Sequence, residues 1–216
     1  AGMEEANNSE SKATTYTQLN QMEFAKSNSN IVYLATEGRG LLKSVNHAGS
    51  WSGAGLSGKY VKSVAVSPLD FNHLFAATTE AGKIYYSDNG GTSWQSQIIA
   101  AGACNSLFIS AVSPAQVYAA TDVGVFTRST DSGWQLLGLG GLDVKVVAAH
   151  PIRPGVLVAG TTSGYYFSLD NGLNWVSGAN ELINHPVGII HFDQNNPMKV
   201  YLGTSASGGY RFYLPW

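Results

Sequence analysis

The chain has 216 residues, 44% of them apolar and 12% charged, with a formal net charge of −2. Such a balance offers no basic field for nucleic acid, and no apolar run approaches the about 18 residues that a membrane-spanning helix needs. The single cysteine, Cys104, excludes an internal disulfide.

In chain order, residues 1–14 are polar, lack the apolar core of a signal peptide and read as a disordered leader. Residues 15–19 alternate polar and apolar and predict a strand with no partner in its own repeat. A repeating unit follows. Short apolar strands close on Thr36, Thr78, Thr121, Thr161 and Thr204, at intervals of 42, 43, 40 and 43 residues. Trp51, Trp94, Trp134 and Trp175 keep the same beat at 43, 40 and 41. Self-similarity at this period is the mark of a propeller or other repeat array. The repeats run over about 20–59, 60–103, 104–142, 143–184 and 185–216. Runs of about five residues bounded by Gly, Pro, Asn and Ser predict four antiparallel strands per repeat, and no window carries a helical period. The fifth repeat shows only three, ending at Tyr210 to Tyr213, and the stretch at 15–19 is expected to pair there as the fourth. The expectation is an all-β fold: a five-bladed β-propeller of four-stranded antiparallel blades over 15–216, closed by an N-terminal strand. A fragment of a larger propeller is the alternative.

The turn before each Trp has a common pattern. Ser168-Leu169-Asp170-Asn171-Gly172-Leu173-Asn174-Trp175 fits S-x-D-x-G-x-x-W throughout. Ser87 to Trp94 has Asn89 in the Asp slot and Gly91 in the Gly slot, while Ser44 to Trp51 has Asn46 and Ala48 there. Ser129-Thr130-Asp131-Ser132-Gly133-Trp134 has lost two residues before its Trp. In such a turn an Asp or Asn side chain accepts backbone N–H bonds, Gly supplies a left-handed φ, and Trp buries a large ring. From about residue 20 to the end, the chain resembles the Asp-box (BNR-repeat) β-propellers, a superfamily that includes sialidases and sortilin-like proteins. Its texture is similar to the photosystem II assembly and stability factor-like group. The resemblance implies turns that are structural, placed between third and fourth strands at the outer rim, on an extracytoplasmic scaffold. This chain departs from that group in its blade number and in having no dense Arg cluster.

Candidate ligand residues lie in loops expected at one end of the propeller axis. Glu37, Glu80 and Asp122 are read as one equivalent place just past the Thr landmark, with Arg39 and Lys83 beside them. Lys59, Tyr60, Asp143, Asn184 and His185 fall in the second loop set, where Tyr or His can stack on a sugar or a peptide. His150 and His191, 41 apart, read as repeat-equivalent strand ends, and no histidine pair has metal-ligand spacing. The four arginines, Arg39, Arg128, Arg153 and Arg211, do not converge as a sialidase triad requires. A Glu37 and Glu80 pair is the remaining route to glycoside hydrolysis. The expectation is therefore a binding or assembly module, monomeric and extracytoplasmic, without cofactor or metal. Its partner is a protein or a glycan, and a lectin-like or glycoside hydrolase propeller is the alternative.

Overall fold

The computed structural model describes residues 18–112, 116–129, 133–178, 182, 184–205 and 207–215. These form two compact units, one ending at Ile98 and one beginning at Ile99. Every regular element among the described residues is a strand.

The first unit holds two four-stranded antiparallel sheets, each running in sequence order from inner to outer strand. One consists of β1 (Leu19–Phe24), β2 (Val32–Thr36), β3 (Leu41–Ser44) and β4 (Ser52–Gly53); the other of β5 (Val61–Val66), β6 (Leu74–Thr78), β7 (Lys83–Ser87) and β8 (Gln95–Ile98). The second unit holds three sheets. Its first has β9 (Cys104–Ile109), β10 (Val117–Thr121), β11 (Gly124–Ser129) and β12 (Gly133–Gly138). Its second has β13 (Val144–Ala149), β14 (Leu157–Thr161), β15 (Gly164–Ser168) and β16 (Val176–Ser177). The last has three strands, β17 (Val187–Phe192), β18 (Lys199–Thr204) and β19 (Gly209–Tyr213). Five meanders of this kind are the five blades that the period predicts.

Each Thr landmark ends the second strand of its blade, and in four blades its hydroxyl donates across the turn that follows, while Thr78 Oγ1 accepts from Glu80 N at 3.3 Å. Thr36 Oγ1 donates to Gly40 O at 2.7 Å, Thr121 to Gly124 O at 2.7 Å, Thr161 to Gly164 O at 3.1 Å and Thr204 to Gly208 O at 2.9 Å. The second strands β2, β6, β10 and β14 are buried along their whole length, because both of their faces pack. In the first unit, Tyr33, Ala35 and Leu41 pack with Val61, Val64, Leu74 and Tyr85. In the second, Tyr118 and Val125 pack with Val144 and Leu157, and Val158 and Tyr165 with Val187 and Leu202.

Amide side chains stitch the inner strands of neighbouring blades. Gln21 Nε2 donates to Val64 O and Gln21 Oε1 accepts from Val64 N, both at 3.0 Å. Asn20 Nδ2 donates to Val61 O, and Asn105 Nδ2 to Val144 O, both at 2.8 Å.

The expected N-terminal clasp falls mainly outside the described residues, since only Gln18 and Leu19 of its neighbourhood are described. Leu19 does have a partner in its own repeat: it begins β1 and pairs with Thr36. The physical reason is a register irregularity at the start of the inner strand. Leu19 sits on it as Val61, Val144 and Val187 do in their blades, so the first blade begins upstream of residue 20.

Candidate functional site

A turn chemistry that recurs from blade to blade fixes which loops are structural. In three blades the turn between third and fourth strands makes one set of bonds. Ser44, Ser87 and Ser168 each donate Oγ–H to the Asn or Asp two residues on, at 2.9, 2.9 and 2.8 Å. That Oγ accepts from the backbone N of Ala48, Gly91 and Gly172 at 2.9, 3.0 and 2.9 Å. Asn46, Asn89 and Asp170 Oδ1 accept from the N of Ser50, Ser93 and Asn174, each at 2.9 Å. The Asp170 carboxyl is held below the usual range chiefly by the Asn174 backbone and side-chain bonds. These polar groups are consumed by the turn. In the third blade Asp131 lies outside the described residues, while Gly133 and Trp134 begin β12.

In the first unit the loops at 37–40, 56–60 and 79–83 are tied together. Gly38 N and Gly40 N both donate to Lys59 O at 3.2 Å, and Thr79 N donates to Tyr60 O at 3.0 Å. Glu80 is the hub. It pairs with Lys59, with Lys83 at 3.2 Å, and accepts from the Tyr85 hydroxyl at 2.8 Å. The Lys59 hydrogen bond, then those of Tyr85 and Lys83, hold the Glu80 carboxyl down at about 2. Lys59 Nζ also stands 5.2 Å from the Tyr85 ring centroid. Beside this cluster Tyr60 is 51% exposed, its ring within reach of Gly38.

Glu80 is not the equivalent of Glu37 and Asp122. The residue after each Thr landmark donates its N–H to the preceding loop: Glu37 to Gln18 O, Thr79 to Tyr60 O, Asp122 to Ala103 O, Thr162 to Asp143 O. Thr79 therefore holds the equivalent place, and Glu80 is one residue on, turned towards Lys59. The same bonds make Tyr60 and Asp143 true equivalents.

In the second unit the remaining candidates have partners of their own. Asp122 Oδ1 accepts from Gly102 N at 3.1 Å. Asp143 accepts from Asn105 Nδ2 at 3.0 Å and pairs with Lys145 at 2.7 Å. His185 Nδ1 lies 2.6 Å from Ser207 Oγ. His150 and His191 are not equivalent either. Val144 pairs with the landmark Thr161 and Val187 with Thr204, so the offset is that between those threonines and His150 corresponds to Asp193. Both cap the same turn: His150 Nδ1 accepts from Ile152 N and Arg153 N at 3.2 and 3.0 Å, and Asp193 Oδ1 accepts from Asn195 N and Asn196 N at 2.9 and 3.0 Å. Among the described residues no group of three His, Cys, Asp or Glu side chains is placed to hold a metal ion.

Two features escaped the sequence. Tyr85 completes the Glu80 hub from a strand interior, where only packing reveals it. Glu23, on β1, has its carboxyl pushed up to about 7 by burial, which outweighs Lys26 and the Gln21 hydrogen bond.

The fold is that of a β-propeller. An ancestral GH74 enzyme superposes with a TM-score of 0.75 at 22% identity, over 90% of this chain and 30% of its own. The GH74 xyloglucanase from Xanthomonas campestris gives 0.72 at 15%, over 90% and 36%. YCF48 bound to D1 peptide gives 0.64 at 14%, over 92% and 65%. The chain thus spans about a third of the length of those enzymes. No protein-family model matches the chain, and no curated protein sequence matches it.

Proposed function

We propose that the chain is an Asp-box propeller acting as a non-enzymatic binding or assembly module outside the cytoplasm. It takes a protein segment on the loop surface around Tyr60, flanked by Glu37, Arg39, Glu80 and Lys83. The observation that carries this reading is an exposed aromatic ring on a backbone pinned from both sides, at Lys59 O and at Tyr60 O. A rigid amphipathic ring of this kind gives contact area at low entropic cost. Arg39, Lys59 and Lys83 against Glu37 and Glu80 leave one net positive charge there, which favours an acidic segment over a basic one. The likeness to YCF48, described as bound to a D1 peptide, supports a peptide as the class of ligand. The test is a peptide array followed by calorimetry: Tyr60→Ala should weaken the best peptide about tenfold or more while leaving the melting temperature in place. Unchanged affinity removes this surface from consideration.

A second reading, glycoside hydrolysis, has one observation in its favour. A general acid needs a raised pKa. Glu80, held at about 2 and fully paired, does not qualify, whereas Glu23 at about 7 does. Release of reducing ends from xyloglucan, abolished in Glu23→Gln, would replace the binding reading with this one.

A further inference from the structure

The joint between the first two blades shows what fills the space beneath a Ser-to-Trp turn. Tyr33, on β2, donates its hydroxyl to Gly90 O at 3.2 Å and to Phe71 O at 3.3 Å. Lys43 stands across the strand pair from Tyr33, and its Nζ donates to the same Gly90 O at 3.2 Å. The ammonium lies 5.4 Å from the Tyr33 ring centroid and 5.5 Å from that of Phe71. Asp70 is near enough to act on the Tyr33 hydroxyl: burial, helped by the Asp70 charge, pushes its pKa up to about 12.

The joint between the third and fourth blades, wholly inside the second unit, has the same frame with different side chains. Tyr118 holds the place of Tyr33, and Thr127 faces it as Lys43 faces Tyr33. Gly90 N donates to Asn72 O and Asn171 N to Gly155 O, so Arg153, Pro154 and Gly155 stand where Asp70, Phe71 and Asn72 do. Thr127 is too short to reach the place of the Lys43 ammonium, and its hydroxyl turns back to Val117 O at 3.1 Å. A cavity of about 180 Å³ opens there, its wall including Tyr118, Thr127, Leu137, Ala149, Arg153 and Asn171. Arg153 and Asn171 are exposed and form its mouth, while Ala149 and Tyr118 are buried, Tyr118 to 6% exposure. Tyr118 takes part in no hydrogen bond among the described residues, although Tyr33 in the same place has two acceptors.

We infer that this cavity binds a free short aliphatic carboxylate, its head between the Tyr118 hydroxyl and the Arg153 guanidinium and its tail against Leu137 and Ala149. Arg153 is the one charged side chain on the cavity wall among the described residues, and it replaces an aspartate, so the joint that holds a cation in the first unit attracts an anion here. Burial raises the Tyr118 pKa, which keeps the phenol protonated and a donor. A buried donor calls for an acceptor, and a carboxylate accepts from a hydroxyl and a guanidinium together. An apolar cavity of about 150 Å³ holds benzene, so about 180 Å³ has room for a ligand of about six heavy atoms. The inference does not depend on the Tyr60 surface, because every residue in it belongs to the second unit.

The test titrates sodium butyrate into the full chain at constant ionic strength. It follows the Arg153 Nε–H and the isotope-labelled Tyr118 ring by NMR, assigned with Arg153→Gln and Tyr118→Phe. The expected result is a saturable shift of both signals, half complete at about 1 mM. Tyr118→Phe should weaken binding about tenfold or more while leaving the melting temperature in place, because the hydroxyl it removes bonds nothing among the described residues. Arg153→Gln should weaken it to a similar degree. No saturable shift overturns the proposal, and so does equal affinity in Tyr118→Phe. Butylamine bound in preference to butyrate overturns it by assigning the cavity to a cation in the place of the Lys43 ammonium. Sulfate that reproduces the Arg153 shift without moving Tyr118 overturns it as an adventitious ion only. Tighter binding of N-acetylglutamate N-methylamide than of butyrate overturns it by assigning the cavity to an acidic side chain of a polypeptide.

Discussion

Gly160 offers a decisive test of how closely blades approach in the second unit. The residue before the Thr landmark is Ala35, Ala77 and Ala120 in three blades but Gly160 and Gly203 in the last two. The cross-strand partners explain the difference. Ala77 faces Ser63 and Ala120 faces Ser106, whereas Gly160 faces Val146 and Gly203 faces Ile189. In these four blades Ala stands opposite Ser and Gly opposite the larger Val or Ile, while Ala35 stands opposite Gln21, whose amide reaches out to Val64 of the second blade. Restoring the majority Ala at 160 would ordinarily gain about 0.5–1 kcal/mol by stiffening the unfolded chain. Here the new Cβ would lie 2.4 Å from Val187 O, 2.7 Å from Val187 Cγ1 and 2.9 Å from Val146 Cγ1. Val187 is fully buried and paired with Thr204, so its carbonyl cannot retreat without moving β17. Overpacking of that kind costs about 1–3 kcal/mol and outweighs the entropic gain. Gly160→Ala should therefore lose about 1–2 kcal/mol, a fall of roughly 2–8 °C in melting temperature for a chain of this size. Gly203→Ala is the control, because its Cβ meets the Ile189 Cβ at 3.0 Å and Ile189 is 66% exposed and able to give. Its effect should stay within about 0.5 kcal/mol. Urea midpoints and calorimetry measure both; a Gly160→Ala variant as stable as the parent would refute the packing argument.

Trp94→Phe strands two carbonyl acceptors, Ala54 O and Gly91 O, and should cost about 1–3 kcal/mol in urea unfolding, more than Trp175→Phe, whose Nε1 bonds nothing. Ala48 holds φ 65 in the slot where Gly91 has 90 and Gly172 has 81; Ala48→Gly should raise stability by about 1 kcal/mol in a thermal melt. Burial, helped by Arg153, lowers the His150 pKa below 6.5, so the unfolded chain takes up the proton first. The stability linked to His150 is whole above about pH 6.5 and declines as pH falls towards the folded value, so the urea midpoint of the parent relative to His150→Ser should drop between about pH 7.5 and 5.5, whereas Glu23, whose raised carboxyl acts in the opposite sense, is common to both chains. His150→Ser is the reference because it places there the residue that caps the equivalent turn at Ser67; a difference that stays constant over this range would refute the assignment.

The period, the blade count and the placing of the Ser-to-Trp turns were legible because each rests on residues that local geometry demands. Thr36 and its counterparts recur since their hydroxyls close the following turn, and Ser168 and Asp170 recur since the turn consumes their oxygens. The candidate site was less legible because its pairing runs between loops. Lys59 and Glu80 are 21 residues apart and meet only when two blades pack. Glu80 also looked equivalent to Glu37 because both are acidic residues beside a Thr, yet the backbone bond that defines that place belongs to Thr79. His150 and His191 misled in the same way: matching residue types were aligned, while the strands align on Thr161 and Thr204.

The Gln21 amide has a consequence for solubility. β5 is an edge strand of its sheet, and a bare edge is a template onto which a neighbouring molecule can add a strand. At Val64 both main-chain groups on that edge are already engaged, one by the Gln21 donor and one by its acceptor. A single side chain thus imitates the hydrogen bonding of a passing strand and leaves that position of the edge with nothing to offer a second molecule.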